Sequence, residues 1–100
     1  MITDWNSFHD VFSMTFGFFR GYGRNMDAWI DCMSDIDSPE NGMTKIWIEK
    51  TDTLVIEIRN SERFKERCGE IYLELLECSA FVNFRKLEYG EQAMIAISAS

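Results

Sequence analysis

The clearest pattern in the chain lies between Met26 and Asp35. Met26, Trp29, Ile30 and Met33 recur at a period near 3.6, with Asp27, Asp31 and Asp35 on the opposite side. That spacing predicts a helix with an apolar face inward and a stripe of carboxylates outward. Asn25 precedes it as a fitting N-cap, its side-chain oxygen able to accept from a backbone N–H of the first turn. A similar period over Trp5, Phe8, Val11, Phe12 and Phe16 predicts an earlier helix, opened by Thr3 or Asp4 and running to about Phe16. His9 falls away from that face and reads as a surface imidazole.

Between the two helices, Gly17, Gly21 and Gly23 interrupt any period, so residues 17–23 read as a connection. Asp37-Ser38-Pro39-Glu40-Asn41-Gly42 reads as a turn. Lys45–Glu49 and Thr53–Ile58 are β-branched and aromatic runs that predict two strands joined through Lys50-Thr51-Asp52. The second is nearly continuous in apolar residues, as for a strand covered on both faces. Asn60 or Ser61 opens a short helix, Glu62 to Cys68, and Gly69 marks a break. A further helix from Glu70 to about Ser79 places Ile71, Leu75 and Cys78 inward, with Glu70, Glu74 and Glu77 as its acidic positions. After Phe81–Phe84 and a turn at Tyr89-Gly90-Glu91, Gln92–Ser98 predicts a closing strand.

Composition narrows the class. One hundred residues, 46% of them hydrophobic with a single proline, suit one folded domain over residues 1–100. A formal net charge of −7 and a pI near 4.6 argue against a nucleic-acid or anionic-membrane surface and favour a basic protein partner. Cys32, Cys68 and Cys78 are odd in number and lack paired metal-ligand spacing, so they read as reduced thiols of a cytoplasmic protein, with no metal or cofactor expected. The N-terminus shows no basic region followed by an apolar one, and no apolar run is long enough to cross a bilayer.

The acidic stripe needs a reason, since like charges four residues apart destabilise a helix by roughly 0.2–0.5 kcal/mol per pair. Asp27 gains from the positive end of the helix dipole; Asp31 and Asp35 lie too far along. A solvated acidic face would need no partner. An enzyme is disfavoured: three aspartates on one exposed face lack the contrasting environments that separate an acid from a base. Neither histidine nor cysteine stands at ligand spacing to them.

Residues 22–35 resemble the inhibitory loop and second helix of the barstar family, intracellular inhibitors of ribonucleases. Tyr22, Gly23, Asn25, Asp27, Ala28, Asp31 and Cys32 carry the likeness, with Met26 and Met33 in place of leucines. Matching helix and strand positions extend it over most of the chain. The resemblance implies an α/β fold with a small parallel β-sheet packed against about four helices. Lys45–Glu49 looks like an inserted extra strand; either Ile46–Glu49 supplies a replacement for the strand that the family places before its first helix, or the sheet is one strand short at an edge open to pairing. It also implies a monomer when free that binds a basic ribonuclease or ribonuclease toxin, as an immunity-type protein does. The contact residues would be Tyr22, Gly23, Asn25, Asp27, Asp31, Ser34 and Asp35, with Glu77 as the nearest match to a second acidic contact on a late helix and Glu74 as the alternative in the neighbouring register. Asp31 would occupy an RNA phosphate position and meet the arginines that hold it. Gly21 stands where the family presents an aromatic residue, and Arg20 and Arg24 add positive charge beside the stripe. A second function therefore stays open, an acidic protein-binding module of this fold whose partner is not a ribonuclease.

Overall fold

The computed structural model describes residues 1–100 as two compact units, 1–50 and 51–100. Together they contain four α-helices and a two-stranded parallel sheet, an α/β arrangement.

In the first unit, α1 spans Trp5–Phe16 and α2 spans Met26–Ser34. Asp4 opens α1 with a reciprocal cap: its Oδ1 accepts from the Ser7 N–H at 2.7 Å, and Ser7 Oγ accepts from the Asp4 N–H at 3.0 Å. Gly17 closes the helix in a left-handed conformation, φ 63, donating its N–H to Ser13 O. A side chain at position 17 would be strained for that reason, and its Cβ would stand 2.7 Å from Lys45 Cβ. The core of the unit is aromatic. Phe8 and Phe12 of α1 meet the fully buried Trp29 of α2, with Phe12 and Trp29 edge to face at 5.6 Å between centroids. Cys32, Met33 and Ile36 are also fully buried, whereas Met26 and Ile30 are half-buried.

The extra strand expected over Lys45–Glu49 does not form. Its backbone donors are engaged elsewhere: Lys45 N–H donates to the Phe16 and Gly17 carbonyls, Ile46 N–H to Phe16 O, and Ile48 N–H to Ile36 O. These acceptors include carbonyls that the end of a helix leaves without intrahelical partners. A run with strand propensity thus serves as a strap that ties off α1, with Ile46 and Trp47 half exposed. The expected turn before it is present as a single 3₁₀ turn, Pro39–Asn41, ended by Gly42 at φ 70.

In the second unit, β1 (Leu54–Ile58) lies parallel to β2 (Ile95–Ala99), with Leu54 opposite Ile95 and Ile58 opposite Ala99. A parallel pair requires a long crossover, supplied by α3 (Ser61–Arg67) and α4 (Gly69–Glu88). Instead of ending near Ser79, α4 runs for 20 residues, because neither glycine nor proline interrupts the sequence between Gly69 and Gly90. Ile71, Leu75 and Cys78 face inward as their spacing predicts, joined by Val82 and Lys86. β1 is not covered on both faces: Leu54, Ile56 and Ile58 are more sheltered, while Val55 and Glu57 are exposed. From α4, the Asn83 side chain reaches the start of β2. Its Oδ1 accepts from the Met94 and Ile95 N–H groups, and its Nδ2 donates to Ile95 O, each at 2.8 Å.

Candidate protein-binding face

Seven of the eight expected contact residues, Tyr22, Gly23, Asn25, Asp27, Asp31, Ser34 and Asp35, lie on α2 and its flanking residues. The eighth, Glu77, is exposed on α4 in the second unit.

The loop is built inward from its aromatics. Phe18 is buried, stacks on Phe16 and packs against the Tyr22 ring at 4.6 Å between centroids. Phe19 N–H donates to Met43 O, and Tyr22 N–H turns back to Phe19 O. The Tyr22 hydroxyl meets Nδ1 of His9. His9 is not the surface imidazole its position on the helical wheel predicts. Only 4% exposed, it is covered by Trp5, Phe8 and Tyr22. Burial, and then the nearby Arg24 charge, lowers the His9 pKa, while Asp10 opposes the change. Burial, followed by the proximity of Cys32, raises that of the Tyr22 phenol. An un-ionised phenol can then donate to an uncharged imidazole, directing the hydroxyl inward.

Gly23 is exposed, and a Cβ there would make ordinary contacts, 3.4 Å from Asn25 Nδ2 and 3.5 Å from Ala28 Cβ. Steric demand does not require glycine at that position. Asn25 caps α2, its Oδ1 accepting from the Ala28 N–H at 2.8 Å while Nδ2 reaches Gly23 O at 3.4 Å. Asp27 and Asp31 are both exposed, one helical turn apart, and neither carboxylate has an ion pair or hydrogen bond. Asp35 differs from them. Half-buried, it forms the C-cap, with its backbone N–H on the Cys32 and Met33 carbonyls. Ser34 is half-buried and its Oγ has no hydrogen-bond partner.

The charge of the stripe is felt inside the helix. The fully buried Cys32 thiol is pushed up to about 11, first by desolvation and then by the carboxylates of Asp31 and Asp35. Such a thiol stays protonated at neutral pH and is a poor nucleophile. Arg24, whose charge the sequence places beside the stripe, instead pairs with Asp10 on α1 at 3.0 Å. On α4, Glu74 is half-buried and accepts from the Cys78 thiol at 3.7 Å, which leaves Glu77 the more available carboxylate of the two.

A cleft of about 250 Å³ lined by Trp5, His9, Arg24, Asn25 and Met26 opens beside the cap of α2. Sequence reading does not find it, because two of its walls come from α1 and the others from a loop that returns to it. Chemically, the exposed surface of α2 offers acceptors without donors: a pair of unpaired carboxylates one turn apart, suited to guanidinium or ammonium groups.

The family model described as "Barstar (barnase inhibitor)" matches residues 1–97. No curated protein and no solved structure matches the chain. No helix is long and apolar enough to cross a membrane.

Proposed function

The chain belongs to the barstar family, and on that premise we propose that it inhibits a basic ribonuclease by laying the carboxylates of α2 into the nuclease's phosphate-binding cleft. The observation that carries this is the pair Asp27 and Asp31, exposed one turn apart with no internal cation to satisfy them. Keeping two like charges adjacent and unpaired costs helix stability, and a cationic partner recovers it. Asp31, at mid-helix, is the phosphate mimic and makes charge-assisted hydrogen bonds to arginine; Asp27 is its neighbour. Asp35, Ser34, Tyr22, Gly23 and Asn25 shape and border the contact, and Glu77 on α4 is a further, weaker acidic contact. Residues 1–100 form one domain of this family, whose match runs over residues 1–97, and it acts as an inhibitor with no catalysis of its own. A monomer in the cytoplasm, it meets its ribonuclease with the help of its net charge of −7, which speeds encounter in a salt-dependent way.

The test is titration of the chain into barnase, the enzyme in the family's description, with RNA cleavage as readout. The expected result is loss of cleavage at one-to-one stoichiometry, with association slowed by added salt. Unimpaired cleavage with the chain in excess, repeated with other basic ribonucleases, would favour an acidic module with a different kind of partner.

A further inference from the structure

The loop before α2 is fastened to α1 at two points, and the second is unusual. Arg24 adopts a left-handed backbone, φ 53, although it carries a full side chain. Such a conformation persists where its surroundings hold it. Here Nη2 donates to the Asn6 backbone oxygen at 2.9 Å and to Asn6 Oδ1 at 2.6 Å, and lies 3.0 Å from Asp10 Oδ1. Asn6 and Asp10 stand one turn apart on α1, so a single guanidinium bridges that turn to the residue before the N-cap of α2. Both charged side chains are about half exposed, 40% for Arg24 and 56% for Asp10, and an exposed pair of this kind adds little to global stability. Its consequence is local: the backbone entering Asn25 has one direction.

We infer that Arg24 is a positioning residue, which by tying the loop to Asn6 and Asp10 holds Asn25 and the first turn of α2 in the geometry that the partner meets. This deepens the function proposed above and rests on it for the identity of the partner; the ordering of the loop stands apart from it. Tyr22, joined to His9, is the other fastening, so the loop is gripped on both sides of Gly23.

Charge makes the test decisive. Arg24→Ala makes the chain more acidic and Asp10→Asn makes it less so, so steering alone would move association with barnase in opposite directions. Loss of the tether moves dissociation in one direction. Arg24→Ala is expected to dissociate from barnase about tenfold faster, Asp10→Asn faster than the unaltered chain by a smaller factor because Asn6 still holds the guanidinium, and the double variant no faster than Arg24→Ala. Hydrogen exchange of the Ala28 amide, which Asn25 caps, is expected to speed up by about tenfold in free Arg24→Ala and by less in free Asp10→Asn, with Tm little changed. Arg24→Gly relieves the backbone conformation but not the lost tether, and should exchange as fast as Arg24→Ala. Unaltered exchange in Arg24→Ala and Asp10→Asn, slow exchange restored by Arg24→Gly, or barnase association rates that diverge while dissociation stays fixed would each overturn the inference. If the unmodified chain leaves barnase and the other basic ribonucleases untouched, the inhibitor function fails on its own, and exchange alone decides whether Arg24 orders the loop.

Discussion

Two helices of this chain display acidic side chains to solvent, and they are built in opposite ways. α2 is nine residues long, capped by Asn25, entered through a loop fastened to α1, and carries aspartates. α4 is twenty residues long, has no side-chain cap at its start, and carries glutamates. A short helix is marginal by itself, so α2 depends on the cap, on Trp29 seated between Phe8 and Phe12, and on its loop. Aspartate has fewer torsions to freeze than glutamate, so its carboxylate is better fixed before any partner arrives. One helix presents charge at defined positions, whereas the other carries charge as ordinary surface, Glu74 excepted, which is occupied with Cys78. Acidity alone does not set α2 apart from α4; the cap, the aromatic seat and the fastened loop do.

Substitution can break this contrast. Asp31→Ala is expected to weaken binding to a responsive ribonuclease by about 3 kcal/mol or more, mainly through faster dissociation, while Glu77→Ala costs about 0.5 kcal/mol or less. Surface plasmon resonance on both variants checks it, and equal losses would erase the distinction between the two helices. Asn25→Ala removes the cap and should lower stability to urea by about 1 kcal/mol, with binding falling as well because the first turn of α2 loosens. A stability change with binding intact would show that the partner does not read that turn.

The smallest effect concerns pH. The His9 pKa is lowered in the folded state below its ordinary value near 6.5, so the unfolded chain takes up the proton first. The stability this represents is complete above 6.5 and is lost as pH falls through the lower, folded value. From about pH 7.5 to about pH 5, the Tm of the unaltered protein should fall further than that of His9→Gln. Parallel curves would mean that the imidazole is not held neutral against Tyr22.

The chain shows α1 and α2 plainly because their signals are local, whereas the end of α4 is read too early, near Ser79, in a stretch where no glycine or proline marks a stop before Gly90. Asp4, the phenylalanine spacing and Gly17 bound α1; Asn25 and the 3.6-residue period give α2 with its inner and outer faces. The other misread positions depend on what arrives from far along the chain. Lys45–Glu49 has the composition of a strand, but its N–H groups meet the carbonyls of Phe16, Gly17 and Ile36 before any strand can pair with them. His9 lies off the apolar stripe of α1 yet is buried because the loop brings Tyr22 back over it. Arg24 reads as free charge beside the stripe, and only the fold reveals that Asp10 and Asn6 claim it. The carboxylates of the face and the Asn25 cap were legible in the sequence; the fastening of the loop to α1 was not.

Asn83 has a further consequence. A ribbon of just two strands has little to stop one from sliding past the other, and in a structure with alternating sides a slip of one step turns every side chain over. The carboxamide of Asn83 imitates a third backbone, offering an acceptor and a donor matched to Met94 and Ile95. Alignment of the ribbon is therefore fixed twice, by the sheltering of Leu54, Ile56 and Ile58 on one side and by a helix from outside it, and Asn83→Leu would leave the Met94 and Ile95 N–H groups and the Ile95 carbonyl without that side-chain partner.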